Sequence, residues 1–203
     1  MASRAGVRKM HIMEDMDRKA TRKISLPGDH NRLKEIIVYI AQKCQNDPTF
    51  GAIKLNKILF YSDFRAYRQY GRPVTGAEYL RLRHGPAPRA LVPIRNELHQ
   101  DGAVRTQERE IHGRVQKRPV ALRRANLSAF SGEDIAVVDQ VIDDLWGKSA
   151  MAVSAESHGI QWKTRRDMDP IPYEAAFLSD EAPTEDDKER SRQLIEELGI
   201  GPG

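Results

Sequence analysis

The distribution of apolar residues from about Ala52 to Tyr70 constrains this chain more than any other feature. Leu55, Ile58, Leu59, Phe60, Tyr61, Phe64 and Tyr67 spread over most of the circumference of one helix. A helix that is apolar on several sides belongs in the centre of a bundle, where neighbours cover every face. Gly71 is placed to cap its C-terminus, and Pro73 prevents continuation. The segment also holds Lys54, Asn56, Lys57, Ser62 and Asp63. On such a helix some of these polar groups must face inward or into a groove, and buried polar groups need partners.

Segments that can surround this helix flank it. Leu33, Ile36, Ile37, Ile40 and Cys44 form one stripe at helical spacing over Asn31 to Cys44. Asn31 is the expected cap, and Asn46-Asp47-Pro48 ends the run. Val74–Leu82 reads equally well as a short helix or an extended segment. His84-Gly85-Pro86-Ala87-Pro88 reads as a stiff turn, and a third helix starting near Pro88 carries Leu91, Ile94 and Leu98. Residues 103–124 read as a two-stranded ribbon turning at His112-Gly113. Ser131 with Asp134 three residues on marks the start of a helix bearing Ile135, Val138, Val141, Ile142 and Leu145. A further helix is expected over Ser149–Ser157, and Leu194, Ile195 and Leu198 suggest a short terminal one. The expected fold class is mainly α: a single helical domain with a small antiparallel β-ribbon.

Composition sets the boundaries. Hydrophobic residues are 39% of the 203 and charged residues 31%, so a core forms only where apolar residues are concentrated. They are concentrated in the middle. A flexible basic arm is expected over residues 1–29, the helical domain over 30–178 and an acidic, partly disordered tail over 179–203. The net charge of +4 is too mild to indicate nucleic acid by itself. Its distribution says more. Residues 105–124 hold Arg105, Arg109, Arg114, Lys117, Arg118, Arg123 and Arg124 against Glu108 and Glu110, whereas 179–203 is acidic. The ribbon is therefore the best nucleic-acid candidate, yet it lacks the interleaved aromatics on which bases stack. A solvated ribbon, or one meeting an acidic partner, is the better reading.

The single cysteine, Cys44, sits on an apolar stripe and reads as a buried, inert thiol. The six histidines include no helical zinc pair, and there is neither a Walker loop nor a G-x-G-x-x-G nor a G-x-S-x-G elbow. Neither a metal nor a cofactor is expected, and no catalytic set. A hydrolase built on His84 and Asp63 would require the two groups to meet. No run is apolar and long enough for a signal peptide or a membrane span, so the cytoplasm is the expected location.

Three motifs in order carry a resemblance. Lys54-Leu55-x-Lys57-x-Leu59-x-Tyr61-x-Asp63 is followed by Tyr70-Gly71-Arg72-Pro73-Val74-Thr75-Gly76 and then by His84-Gly85-Pro86-Ala87-Pro88. Together they resemble the Panacea domain of the SocA-like antitoxins, and Ser157-His158 with Trp162-Lys163 is similar to the family's closing element. The resemblance covers roughly residues 31–166. It implies a protein that binds and neutralises a cognate toxin protein. In at least one branch of the family it implies an adaptor that delivers the toxin to a cytoplasmic protease unfoldase. It implies no catalytic residue. Lys54, Tyr61, Asp63, His84, Gly85, Pro86, His158 and Trp162 become candidate partner-binding or motif residues. For each, the competing reading is a polar network that fixes helix order.

Overall fold

A computed structural model describes residues 30–111, 113–178 and 185–197. The basic arm expected over 1–29, His112 of the expected turn, and residues 179–184 and 198–203 of the acidic tail lie outside the described residues.

The central helix forms as expected. It is α2, Ala52–Tyr70, and it follows α1, His30–Lys43, which ends in a 3-10 turn over Cys44–Asn46. Asn31 falls inside the first turn of α1 rather than at its cap. Gly71 closes α2 at φ +68, a left-handed conformation that glycine adopts without a Cβ penalty, and its N–H reaches the carbonyl of Tyr67. Ten side chains of α2 are buried, among them Lys54, Lys57, Ser62 and Asp63. Leu55, Ile58, Leu59 and Phe60 share the core with Leu33, Ile36, Ile37 and Ile40 of α1.

The open choice over Val74–Leu82 resolves as extended. Tyr79–Leu80 is β1, Ala87–Pro88 is β2 and Pro170–Ile171 is β5, in an antiparallel sheet of order β2-β1-β5. Tyr79 pairs with both Pro88 and Ile171. The third helix, α3, therefore begins later than expected, at Leu91, and runs to Gln100. Pro88 is spent on the sheet, where its missing N–H is tolerated at an edge. The ribbon is β3, Val104–Ile111, paired with β4, Arg114–Ala121, from Val104↔Ala121 to Ile111↔Arg114. Leu122, expected to belong to the return strand, lies just beyond it and is exposed.

Helix α4, Gly132–Leu145, starts on a complete capping box. The Ser131 hydroxyl accepts from the N–H of Asp134, and the Asp134 carboxylate accepts from the N–H of Ser131. Arg32 of α1 and Arg72 beyond α2 both reach that carboxylate, at 3.0 and 2.5 Å. The cap thus joins three parts of the chain. Helix α5, Ala150–Glu156, is capped by Ser149, and the short α6, Ile160–Lys163, follows. A 3-10 turn over Tyr173–Phe177 packs its tyrosine on α2. Helix α7, Glu185–Glu197, is longer than the short terminal helix expected there. Among the described residues no helix is long and apolar enough to cross a membrane. The mainly α class with a small antiparallel β part is what the structure has.

Candidate functional site

Three polar clusters are strung along α2, and most of the candidate residues lie in them. The first is at its N-terminal end. The Lys54 ammonium is fully buried and donates to Asp47 Oδ2 at 2.5 Å, to the Thr49 hydroxyl at 2.8 Å and to the carbonyl of Lys148 at 3.2 Å. Asp47 also accepts from the N–H and hydroxyl of Thr49. Burial would raise the Asp47 carboxyl, but these bonds hold it below the usual carboxylate range. Lys54 therefore ties the 47–49 loop to the segment between α4 and α5.

The second cluster surrounds Asp63, also fully buried. Its carboxylate accepts from the N–H and hydroxyl of Thr75 at 2.6 and 2.5 Å and from the Tyr79 hydroxyl at 2.9 Å. The Tyr173 hydroxyl lies 3.3 Å away and donates to the carbonyl of Ala77 at 2.6 Å. Burial pushes the Asp63 carboxyl up, against the pull of these hydrogen bonds. Asp63 is thus enclosed by hydroxyl and amide donors, with Thr75, Tyr79 and Tyr173 as its partners. His84 is exposed and belongs to a different cluster, so the structure does not bring the two together.

The third cluster is the His84-Gly85-Pro86 turn. The carbonyls of Leu82, just before it, and of His84 and Pro86 within it each accept from a different helix. Trp162 Nε1 of α6 donates to Leu82 at 2.8 Å, the Ser154 hydroxyl of α5 to His84 at 2.9 Å, and the Lys57 ammonium of α2 to Pro86 at 3.0 Å. A turn buried in this way must have its backbone acceptors satisfied, and these side chains do it. Gly85 sits at φ +90, and a Cβ there would lie 2.4 Å from both Lys57 Nζ and Ser157 Oγ. Only glycine fits the conformation and the space. Burial lowers the Lys57 pKa from 10.5 to about 7.

On the outside of this turn the aromatic and cationic groups stack. The His158 ring lies on Trp162 with centroids 3.9 Å apart and 17° between planes, and the Arg81 guanidinium is 3.9 Å from the Trp162 ring. Burial lowers the His158 pKa, helped by the positive charges of Lys57, Arg81 and His84. Tyr61, one turn beyond Lys57 on α2, is half-buried, and burial together with Glu156 raises its pKa.

The candidates therefore divide. Lys54, Asp63, Gly85 and Pro86 are buried and committed to internal bonds or packing. His84 is exposed, and Tyr61, His158 and Trp162 are half-buried. Lys57 was not among the sequence candidates although it organises the third cluster. Its signal was the pair Lys54 and Lys57, three apart on one face of an otherwise apolar helix. Thr75 stands in the G-x-P-x-T-G motif, whereas Tyr79, Tyr173 and Arg81 left no such signal, because their partners are distant in the chain. Cys44 is buried, and its thiol is pushed up to about 12, chiefly by burial. Asp143 and Asp144 are exposed, and Asp144 pairs with Arg65 at 2.6 Å.

Fold and site together define a mainly helical domain in which one central helix is bound to its neighbours by buried polar clusters. The chain belongs to the antitoxin SocA-like, Panacea domain family: that family's model matches residues 55–163, more than half of the chain. The match is narrower than the 31–166 expected, leaving α1 and Lys54 just outside it. It contains Asp63, the His84-Gly85-Pro86 turn, His158 and Trp162. No curated protein and no solved structure matches the chain.

Proposed function

We propose that this protein is an antitoxin-type binding protein that neutralises a cognate protein toxin in the cytoplasm by direct contact and performs no catalysis. The observation that supports this most is the family match, because it spans the corner where α2, the 84–86 turn and α6 are joined. Within that corner the surface available to a partner is His84, Tyr61, His158 and Trp162. A tryptophan held by a histidine on its ring and an arginine beside it loses little side-chain freedom on binding. Such rigid aromatic anchors carry a large share of interface energy. Gly85 and Pro86 hold the anchor's support in place, and Lys54 and Asp63 act from the two other clusters by fixing α2.

Growth rescue tests this reading. Small proteins encoded beside this chain are expressed singly and together with it in a heterologous host. One of them is expected to arrest growth alone and to be relieved by this chain, with Trp162→Ala weakening the relief. If none is relieved, the antitoxin reading fails. Pull-down of the full chain from its native host after nuclease treatment reads the mechanism. A protease unfoldase eluting with the toxin supports the adaptor version, in which the toxin is delivered for degradation. Retention of nucleic acid alone would instead favour nucleic-acid binding through the ribbon.

A further inference from the structure

The basic ribbon packs on α1, and between them lies a cleft of about 400 Å³. Gln42, Gln45, Gln107, Arg109, Arg118 and Arg124 line it. Its charge is unusual because the nearby acids are already engaged. Arg118 is 3% exposed, and its guanidinium donates to the carbonyls of Asp47, Phe50, Cys44 and Gln45 at 2.8, 3.3, 2.9 and 2.6 Å. Carbonyls satisfy its hydrogens without cancelling its charge. Asp47, whose carboxylate attracts it, is paired with Lys54. At the rim Glu35 is held by both terminal nitrogens of Arg123, at 2.7 and 2.6 Å, and by the N–H of Asn126. Arg109 is close enough to Arg118 to repel it. Neither Arg109 nor Arg124 has a carboxylate partner among the described residues.

Strand alternation keeps the acids of the strand away from this charge. Gln107 and Arg109 face the cleft, so Glu108 and Glu110 lie on the other side of the strand, where Glu108 faces Lys117 at 4.0 Å. A nucleic-acid backbone would need a longer unbroken positive track, and its bases would need aromatic platforms. The lining contains no aromatic side chain. Planar guanidinium groups in a confined cleft match carboxylates, and the side-chain amides of Gln45 and Gln107 match a peptide backbone.

We propose that the cleft between α1 and the ribbon binds an acidic peptide segment of a partner protein, with Arg109 and Arg124 gripping its carboxylates against the fixed charge of Arg118. The proposal rests on the cleft and is independent of the antitoxin reading: a peptide-binding readout and growth rescue can fail separately.

The test is fluorescence anisotropy of a fluorescein-labelled hexaglutamate peptide with the full chain at low salt. The variant is Arg109→Gln with Arg124→Gln. The control is Arg68→Gln with Lys117→Gln, which removes the same charge from exposed positions that do not line the cleft. All four side chains are exposed, and thermal melts confirm that both proteins stay folded. The cleft variant is expected to bind at least about tenfold more weakly, while the control stays within about twofold of the parent. Equal losses in the two variants, or no binding of the peptide at millimolar concentration, overturn the proposal. So does tighter binding of a single-stranded oligonucleotide with the same dependence on Arg109 and Arg124, which would make the cleft a phosphate site.

Discussion

The ammonium of Lys57 is buried in the middle of the protein and donates to the carbonyl of Pro86 at 3.0 Å. A charged group held by a carbonyl rather than a carboxylate makes folding depend on pH. Burial places the folded pKa at about 7, against 10.5 for an ordinary lysine. From pH 7 to 10.5 the unfolded chain binds more protons than the folded one, so this group's contribution to stability rises with pH across that window. Below pH 7 both states hold the proton and the full cost of burying the charge remains. Urea unfolding of the parent and of Lys57→Met at about pH 6.5 and about pH 9 reads this directly. The variant is expected to be favoured relative to the parent at the lower pH and to lose that advantage at the higher one. A gap that does not change with pH would mean that the lysine keeps its ordinary pKa.

Gly85→Ala should disrupt the same corner sterically. The new methyl would meet Lys57 Nζ and Ser157 Oγ at 2.4 Å, on a backbone at φ +90 that an L side chain rarely adopts. Destabilisation of roughly 2–4 kcal/mol is expected from strain and overpacking together. Thermal or urea denaturation measures it. Gly71→Ala is the comparison: its φ is +68, but no atom lies within 4 Å of the added methyl, so a loss of only about 1 kcal/mol is expected.

Lys54 and Asp47 form a buried ion pair, which predicts a particular pattern of coupling. Removing one partner leaves the other charge buried and uncompensated, at a cost of roughly 3–5 kcal/mol. Replacing both together should cost clearly less than the two single losses added. A double-mutant cycle of Lys54→Met and Asp47→Leu by denaturant unfolding measures the difference. Additive losses would show that the pair does not interact.

Ser131→Ala removes one half of the capping box and should cost about 1 kcal/mol. Asp134→Asn should cost more, because the carboxylate also anchors Arg32 and Arg72. Burial works against the charge of Asp134, yet the bonds from Ser131, Arg72 and Arg32 leave its pKa below 3.8. A depressed folded pKa stabilises above the unfolded value and is lost as pH falls through the folded one. The penalty of Asp134→Asn should therefore be full at neutral pH and shrink below about pH 4, as unfolding midpoints at the two pH values would record.

Local pattern determined a great deal here. Spacing on a 3.6-residue period located α1, α2 and α4, because a helix must turn its apolar residues toward a common core. Capping chemistry marked Ser131 and Gly71, since those requirements lie within a few residues along the chain. The order of the lysine helix, the G-x-P-x-T-G turn and the H-G-P turn indicated the family. Polar residues on an apolar helix announced that Lys54 and Asp63 needed partners. Which partners they have was decided only in three dimensions. Asp63 meets Tyr173 across more than a hundred residues, and Trp162 meets Leu82 across eighty. The two-residue strands Tyr79–Leu80 and Pro170–Ile171 had no legible pattern, because pairing with a distant strand and not periodicity makes them strands. Likewise, the run of arginines was plain in the sequence. That Arg118 is buried on carbonyls while Arg109 and Arg124 remain without a carboxylate depends on where α1 lies against the ribbon, and only tertiary packing sets that.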